Sequence, residues 1–193
     1  MADERKGIVE TVRDGIVETI RGTGQIADTV VDTVSGTLVN VIKKTGTVGG
    51  AATGAVSDIV RGAILGTAQV GGDLGAAAKG GMLGVLRGSR DVGVEATEAI
   101  GASARAAVKA AAEVGGDVAS TARNAVEGAI TGARDVGLNA TDAASAAANG
   151  ALRGAGEVGG TAVEQVRNAA TGVISGVKVV VKEPFKGQER QAG

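Results

Sequence analysis

The chain contains no cysteine, histidine, tryptophan or tyrosine, and it has a single phenylalanine and a single proline. Without cysteine and histidine it lacks disulfides, thiolate nucleophiles, imidazole bases and the usual zinc ligands. With almost no aromatic side chains, it lacks the residues that contribute most to burial in a compact globular core. We therefore predict that the protein is not an enzyme and uses no cofactor or metal.

Neither sign of charge dominates, and no hydrophobic run is long. The 20 basic residues balance 21 acidic ones, which disfavours nucleic acid as a partner because nucleic-acid-binding proteins show a basic face. The longest uncharged run, residues 45–57, is polar and rich in glycine, so we expect no membrane-spanning helix. The Val-Gly-Gly phrases lack the preceding strand and the Gly-Lys-Ser/Thr of a phosphate loop, so we expect no small-molecule substrate.

A β-branched residue recurs every 22 residues and is in most cases followed by one or two glycines. The series is Ile26, Val48, Val70, Val92, Val114, Val136, Val158 and Val180. Within each unit, apolar residues step by four and close with two steps of three, which is 22 residues in six helical turns. The period predicts an all-α fold, namely one very long, nearly continuous amphipathic helix of hendecad repeats, stabilised by assembly.

The repeat also divides the chain. Residues 1–3 form a start, residues 4–179 form eight 22-residue units, and residues 180–193 form a tail after the helix end, with Pro184 inside it. The 34 glycines are the main difficulty, because each costs a helix interior about 1 kcal/mol relative to alanine. A fold-back into a hairpin near Gly71-Gly72 or Gly115-Gly116 is the alternative that the glycines leave open. Pairs spaced by four, such as Gly150-Gly154, predict a close approach of helix backbones.

On a helical wheel the repeat defines three surfaces. The apolar face contains Ile20, Ile42, Ile64, Leu86, Val108, Ile130, Leu152 and Ile174, together with Val48, Val70, Val92, Val114, Val136 and Val158. The basic flank contains Arg13, Lys79, Arg90, Arg123, Arg134 and Arg167. The acidic flank contains Asp73, Asp91, Glu95, Glu113, Asp117, Asp135 and Glu157. Such a helix is complementary to a copy of itself laid alongside in parallel, which predicts an open-ended homo-oligomer.

The phrases Gly15-Ile16-Val17-Glu18-Thr19 and Val48-Gly49-Gly50-Ala51-Ala52-Thr53-Gly54-Ala55-Val56 resemble the repeats of synucleins. Across residues 4–179 the 11- and 22-residue period is also similar to exchangeable apolipoproteins and group 3 late-embryogenesis-abundant proteins. This resemblance implies helices that bind lipid surfaces or protect membranes during drying. The lysine-rich repeats of synucleins and the proline breaks of apolipoproteins are missing.

These observations predict a structural, self-assembling protein that coats or scaffolds a lipid surface, with parallel copies packed through their flanks. The apolar face would lie in the membrane interface, so we expect a peripheral, cytoplasmic location and lipid as a partner. Two alternatives remain. One is a soluble hendecad coiled coil or filament, and the other is a stress-protective chain that folds only under certain conditions.

Overall fold

A computed structural model describes residues 2–23, 25–46 and 50–181 of the 193-residue chain. Its described parts contain eight α-helices and one β-hairpin. In chain order these are α1 Ala2–Thr23, α2 Ile26–Thr45, α3 Gly50–Gln69, α4 Leu74–Val92, α5 Ala96–Glu113, α6 Val118–Val136, α7 Ala140–Val158, α8 Gly160–Ala170, β1 Gly172–Ile174 and β2 Val177–Val179. The prediction of one nearly continuous helix is therefore wrong.

From α3 to α7, the helices end at or next to the Val-Gly of the repeated phrase. At the end of α3, Gly71 has φ of +69°, a conformation that side-chain-bearing residues rarely adopt. The Gly72 N–H donates to the Thr67 carbonyl at 2.9 Å and the Gly71 N–H donates to the Ala68 carbonyl at 3.0 Å, which together form a Schellman motif. Gly93, Gly115 and Gly137 have positive φ at the equivalent positions. One 22-residue unit is therefore one helix and its turn.

The helices form two layers because each packs most extensively on the helix two places along the chain. We call α1, α3, α5 and α7 the odd layer and α2, α4, α6 and α8 the even layer. Neighbours within a layer are parallel: the Gly62 site of α3 lies against Val9 of α1, and the Gly66 site lies against Arg13. Consecutive helices are joined by short turns and lie in opposite layers. The structural repeat is therefore a pair of helices.

The core lies between the layers, where the apolar residues of every helix meet. Ile16, Leu38, Ile64, Leu86 and Ile130 are fully buried there. Each such side chain contributes about 1.5–3 kcal/mol through burial. The large residues thin out toward the C-terminal end of the array. In α7 the buried positions are alanines and glycines apart from Leu152, so close packing of backbones replaces side-chain bulk.

The last unit departs from the others because its helix is short. Helix α8 ends at Ala170, and β1 and β2 then pair antiparallel through a tight turn at Ser175 and Gly176, both with positive φ. Residues 173–181 are rich in valine and isoleucine, which favour strands over helix. The prediction that the helical units extend to residue 179 is thus corrected by a hairpin at 172–179. Pro184 lies outside the described residues.

Candidate functional site

Three residues of the predicted acidic flank begin helices and hydrogen-bond to their first turn. Asp73 accepts a hydrogen bond from the Ala76 N–H, and Asp117 accepts one from the Ser120 N–H at 2.9 Å. Glu95 accepts from the Glu98 N–H at 2.7 Å, and this backbone hydrogen bond lowers the pKa of the Glu95 carboxyl. Such side chains cap backbone donors that the first helical turn leaves without partners.

Three others form ion pairs with the helix two places earlier in the same layer. The Glu113 carboxylate of α5 lies 2.8 Å from Arg61 of α3. In the even layer, Asp135 of α6 lies 3.7 Å from Arg87 of α4. These pairs join parallel neighbours within a layer. Acidic-flank residues therefore pair with helices of the same chain, but Arg61 and Arg87 are not members of the predicted basic flank.

Glu157 of α7 makes the most extensive ionic contact of the acidic flank. Its two carboxylate oxygens contact Lys109 and Arg105 of α5. The hydrogen bond from Lys109 is the main cause that lowers the pKa of the Glu157 carboxyl, and Arg105 adds to it. The remaining member of the flank, Asp91, pairs with its neighbour Arg90 at 3.4 Å.

Of the six residues of the predicted basic flank, Arg13, Arg90 and Arg123 pair within their own helix, whereas Lys79 of α4 reaches α6. Arg13 pairs with Asp14 at 2.8 Å, Arg123 pairs with Glu127 at 3.6 Å, and Lys79 reaches the same Glu127 at 3.8 Å. Side chains this exposed contribute little each, on the order of 0–1 kcal/mol.

The last two members of the basic flank lie near the C-terminal end of the array. Arg134 is an exception to the local pairing, because its Nη2 donates to the Ser175 carbonyl at 3.2 Å and ties the hairpin to α6. Arg167 of α8 is exposed.

The predicted apolar face divides into two groups. Ile20, Ile42, Ile64, Leu86, Val108, Ile130, Leu152 and Ile174 are all buried inside the chain. The valine series instead marks the helix ends. Val70, Val92 and Val136 are half-buried there, and Val114 and Val158 are exposed. Val48 lies outside the described residues.

Glycines spaced by four lie where helices of one layer approach most closely. A Cβ added at Gly66 would come within 2.7 Å of the Arg13 carbonyl oxygen, closer than real Cβ contacts. At Gly150 of α7 an added Cβ would overlap the backbone of Gly101 in α5. These glycines thus remove bulk between parallel helices of the same chain, where each layer needs its backbones in contact.

An open trough of about 590 Å³ lies on the outer side of the odd layer, and the sequence argument missed it. It is lined by Thr53 of α3, Thr97, Glu98, Gly101, Ala102 and Arg105 of α5, and Ala146, Asn149, Gly150 and Arg153 of α7. The signal was present at Gly101, because the equivalent positions 22 residues before and after carry Lys79 and Arg123. All its polar side chains are half-buried or exposed. The trough therefore gives no sheltered environment for chemistry.

Within the described ranges, no three acidic, histidine or cysteine side chains come together in a way that could hold a metal ion. Across the same residues no helix is both long enough and apolar enough to cross a membrane. The two resolved pKa shifts belong to a helix cap and an inter-helix ion pair. The shifts thus have structural causes.

The arrangement defines an α-helical repeat protein, built from stacked helix pairs. No protein-family model and no curated protein matches the chain. Among solved structures, the chain is similar to the crystal structure of the de novo designed helical repeat protein DHR7, with a TM-score of 0.53 and 20% sequence identity. The similarity covers 88% of this chain and 92% of the designed one, and it shows the fold alone.

This fold also corrects the picture of a membrane-associated, lipid-binding helix that forms filaments. A lipid-binding helix would need an apolar face that is accessible to lipid. The column of that face spaced by 22 residues from Ile20 to Ile130 is instead buried between the two layers. The repeated surfaces are used to join helices to one another within a helical repeat protein.

Proposed function

We propose that the chain is a non-enzymatic structural protein whose two-layer helical array acts as a rigid scaffold. One observation carries the proposal: the column of the apolar face from Ile20 to Ile174 is buried inside the chain, and Glu113, Asp135 and Glu157 of the acidic flank pair with other helices of the same chain. An array of this kind needs no external stabiliser, because every helix buries its apolar face on its neighbours. The groups able to do chemistry serve instead as caps and ion pairs.

Circular dichroism and co-flotation with vesicles test this proposal. We expect full helix content at low micromolar protein in plain buffer, unchanged by neutral phosphatidylcholine vesicles or by vesicles containing anionic phosphatidylglycerol. Helix that forms only with vesicles would contradict the scaffold. It would support the location predicted from the sequence, at a lipid surface in the cytoplasm. Helix that forms only at high protein concentration would contradict it in favour of a coiled coil.

A pair of aspartate variants gives the experiment its control. Ile130→Asp places a charge in the inter-layer core, where the native side chain is fully buried, and should remove most of the helical signal. Val173→Asp changes a residue that is 73% exposed and should leave the signal intact. Equal effects of the two changes would show that the core does not hold the helices.

A further inference from the structure

The same contact joins successive helices in both layers: two small residues of one helix lie against the helix two places earlier in the chain. We call these two residues the docking track. The tracks are Gly62 and Gly66 in α3, Gly84 and Gly88 in α4, Ala106 and Ala110 in α5, Gly128 and Gly132 in α6, and Gly150 and Gly154 in α7. A Cβ at Gly84 would come within 2.7 Å of the Val31 carbonyl oxygen of α2. Two helices of a layer can therefore pack this closely only if the docking-track residues are small.

The first two helices break the rule at the same repeat positions. Helix α1 carries Glu18 and Gly22 there, and α2 carries Asn40 and Lys44. The side chains of Glu18, Asn40 and Lys44 are exposed. A further helix docked on this edge with the spacing found in the rest of the layers would trap these polar groups against a backbone. Burying an unpaired charge in that way is strongly unfavourable.

At the opposite end of the array the hairpin takes the place of the second half of α8. Its strands contact α7 and α6, and Ile174, Val177 and Val179 are buried. Gly172 and Gly176 occupy the docking-track positions of the last unit, 44 residues after Gly128 and Gly132. Their φ angles of +92° and +79° take the chain out of the helix, so the track is replaced by the β-turn and strand ends.

We infer that both edges of the array are closed to a second copy of this chain, one by three polar side chains and the other by the hairpin. This goes beyond the proposed scaffold role, because a rigid scaffold could equally well be extended end to end. It also opposes the open-ended homo-oligomer expected from the sequence. The proposed scaffold function can hold even if this inference fails, because helix content tests the first and self-association tests the second.

Analytical ultracentrifugation of the triple variant Glu18→Ala, Asn40→Ala, Lys44→Ala tests the first edge. The changes give α1 and α2 the small docking track that α5 already has with alanines. We expect the wild type to stay monomeric at every concentration. The variant should dimerise at protein concentrations at least about tenfold below the highest one at which the wild type is monomeric, through the first edges of two copies, because the hairpin still occupies the other end of each. The control Glu10→Ala, Arg21→Ala also leaves net charge unchanged and alters exposed residues outside the track, and it should stay monomeric. A variant as monomeric as the wild type would overturn the inference, and so would a wild type that dimerises.

A second pair of variants tests the hairpin without touching the first edge. Ile174→Asp with Val177→Asp should release the hairpin, which hydrogen exchange would show as lost protection at 172–179 while α1 to α5 stay protected. We then expect concentration-dependent association of two copies through the surfaces of α6 and α7 that the hairpin contacted, because the first edge of each copy stays closed. Val173→Asp, on the exposed side of β1, should change neither property. A released hairpin on a chain that remains monomeric would refute its role in closing the array.

Discussion

Glycine has two opposite roles in this chain, and only its surroundings distinguish them. At Gly71 it ends a helix through a positive φ, whereas at Gly66, five residues earlier, it remains helical and lets α3 approach α1. The helical cost of about 1 kcal/mol per glycine is therefore offset at particular positions by the close packing it permits. Gly156 of α7 has open space where a Cβ would lie, so its helical cost is not offset by close packing.

Two alanine substitutions in α7 should therefore have opposite signs. Gly150→Ala should destabilise the protein by about 1–3 kcal/mol, because its new methyl group meets the Gly101 backbone and forces the helices apart. Gly156→Ala should stabilise it by about 0.5–1 kcal/mol through helix propensity. Urea unfolding measures both free energies. Two changes of the same sign would mean that α5 and α7 are not in the close contact described.

At the scale of elements, the structure explains why the period could be read correctly and still predict the wrong fold. Apolar positions step by four from Val12 to Ile16 to Ile20, and the two compensating steps of three fall across the end of α1 and the start of α2. A continuous hendecad helix needs the same steps to keep its stripe straight. The faces of each helix could thus be predicted from the sequence. The turns could not, because glycine alone does not distinguish a helix end from a close contact.

The charged flanks had a mixed outcome. Glu113, Asp135 and Glu157 pair with a parallel neighbour, but that neighbour is another repeat of the chain. Their basic partners, which are Arg61, Arg87, Arg105 and Lys109, lie outside the predicted basic flank. Whether repeats of one chain pack on each other depends on where the turns lie, and the sequence did not predict the turns. The trough could not be predicted for the same reason, since its lining comes from three helices, α3, α5 and α7, which only the turns bring side by side.

The ion pair between α5 and α7 makes a prediction about pH. Because contact with Lys109 and Arg105 lowers the pKa of Glu157 in the folded protein, this carboxylate stabilises the fold above its unfolded pKa of about 4.3. That contribution should decline as pH falls through 4.3 and be absent below the folded pKa. Glu157→Gln should remove it and flatten the acid limb of stability, measured by urea unfolding between pH 3 and 7.

The control for this variant is an exposed acid at the start of the same helix. Asp142→Asn changes a residue whose side chain forms no ion pair among the described residues, so the acid limb should keep its slope. An unchanged limb in Glu157→Gln would argue that the contacts of Glu157 with α5 do not persist in solution.

At the scale of the whole molecule, stability should vary along the array because each helix depends on its neighbours. Helices α3 to α6 have a parallel neighbour on both sides within their layer, whereas α1, α2, α7 and α8 have one. In arrays of this kind the terminal units open more readily than the interior ones. The short α8 is held in addition through the hairpin and its Arg134 contact.

Hydrogen exchange read out by mass spectrometry tests this gradient. Amides in the middle of α4 and α5 should exchange roughly tenfold or more slowly than those in the middle of α1, because opening α1 breaks contacts with fewer helices. Equal protection in all eight helices would show instead that the array unfolds only as a whole.

The alternation of the two kinds of turn limits how such a chain can gain or lose repeats during evolution. Between α3 and α7, turns from the odd to the even layer read Val-Gly-Gly-Asp at Val70 and Val114, and those from the even to the odd layer read Val-Gly-Val-Glu at Val92 and Val-Gly-Leu-Asn at Val136. Gly72 and Gly116 are packed against residues near the preceding turn of the same kind, Ile26 and Leu74. A duplication or deletion of one 22-residue unit would put every later helix in the opposite layer with the wrong turn. Related chains should therefore gain or lose helices two at a time, in steps of 44 residues.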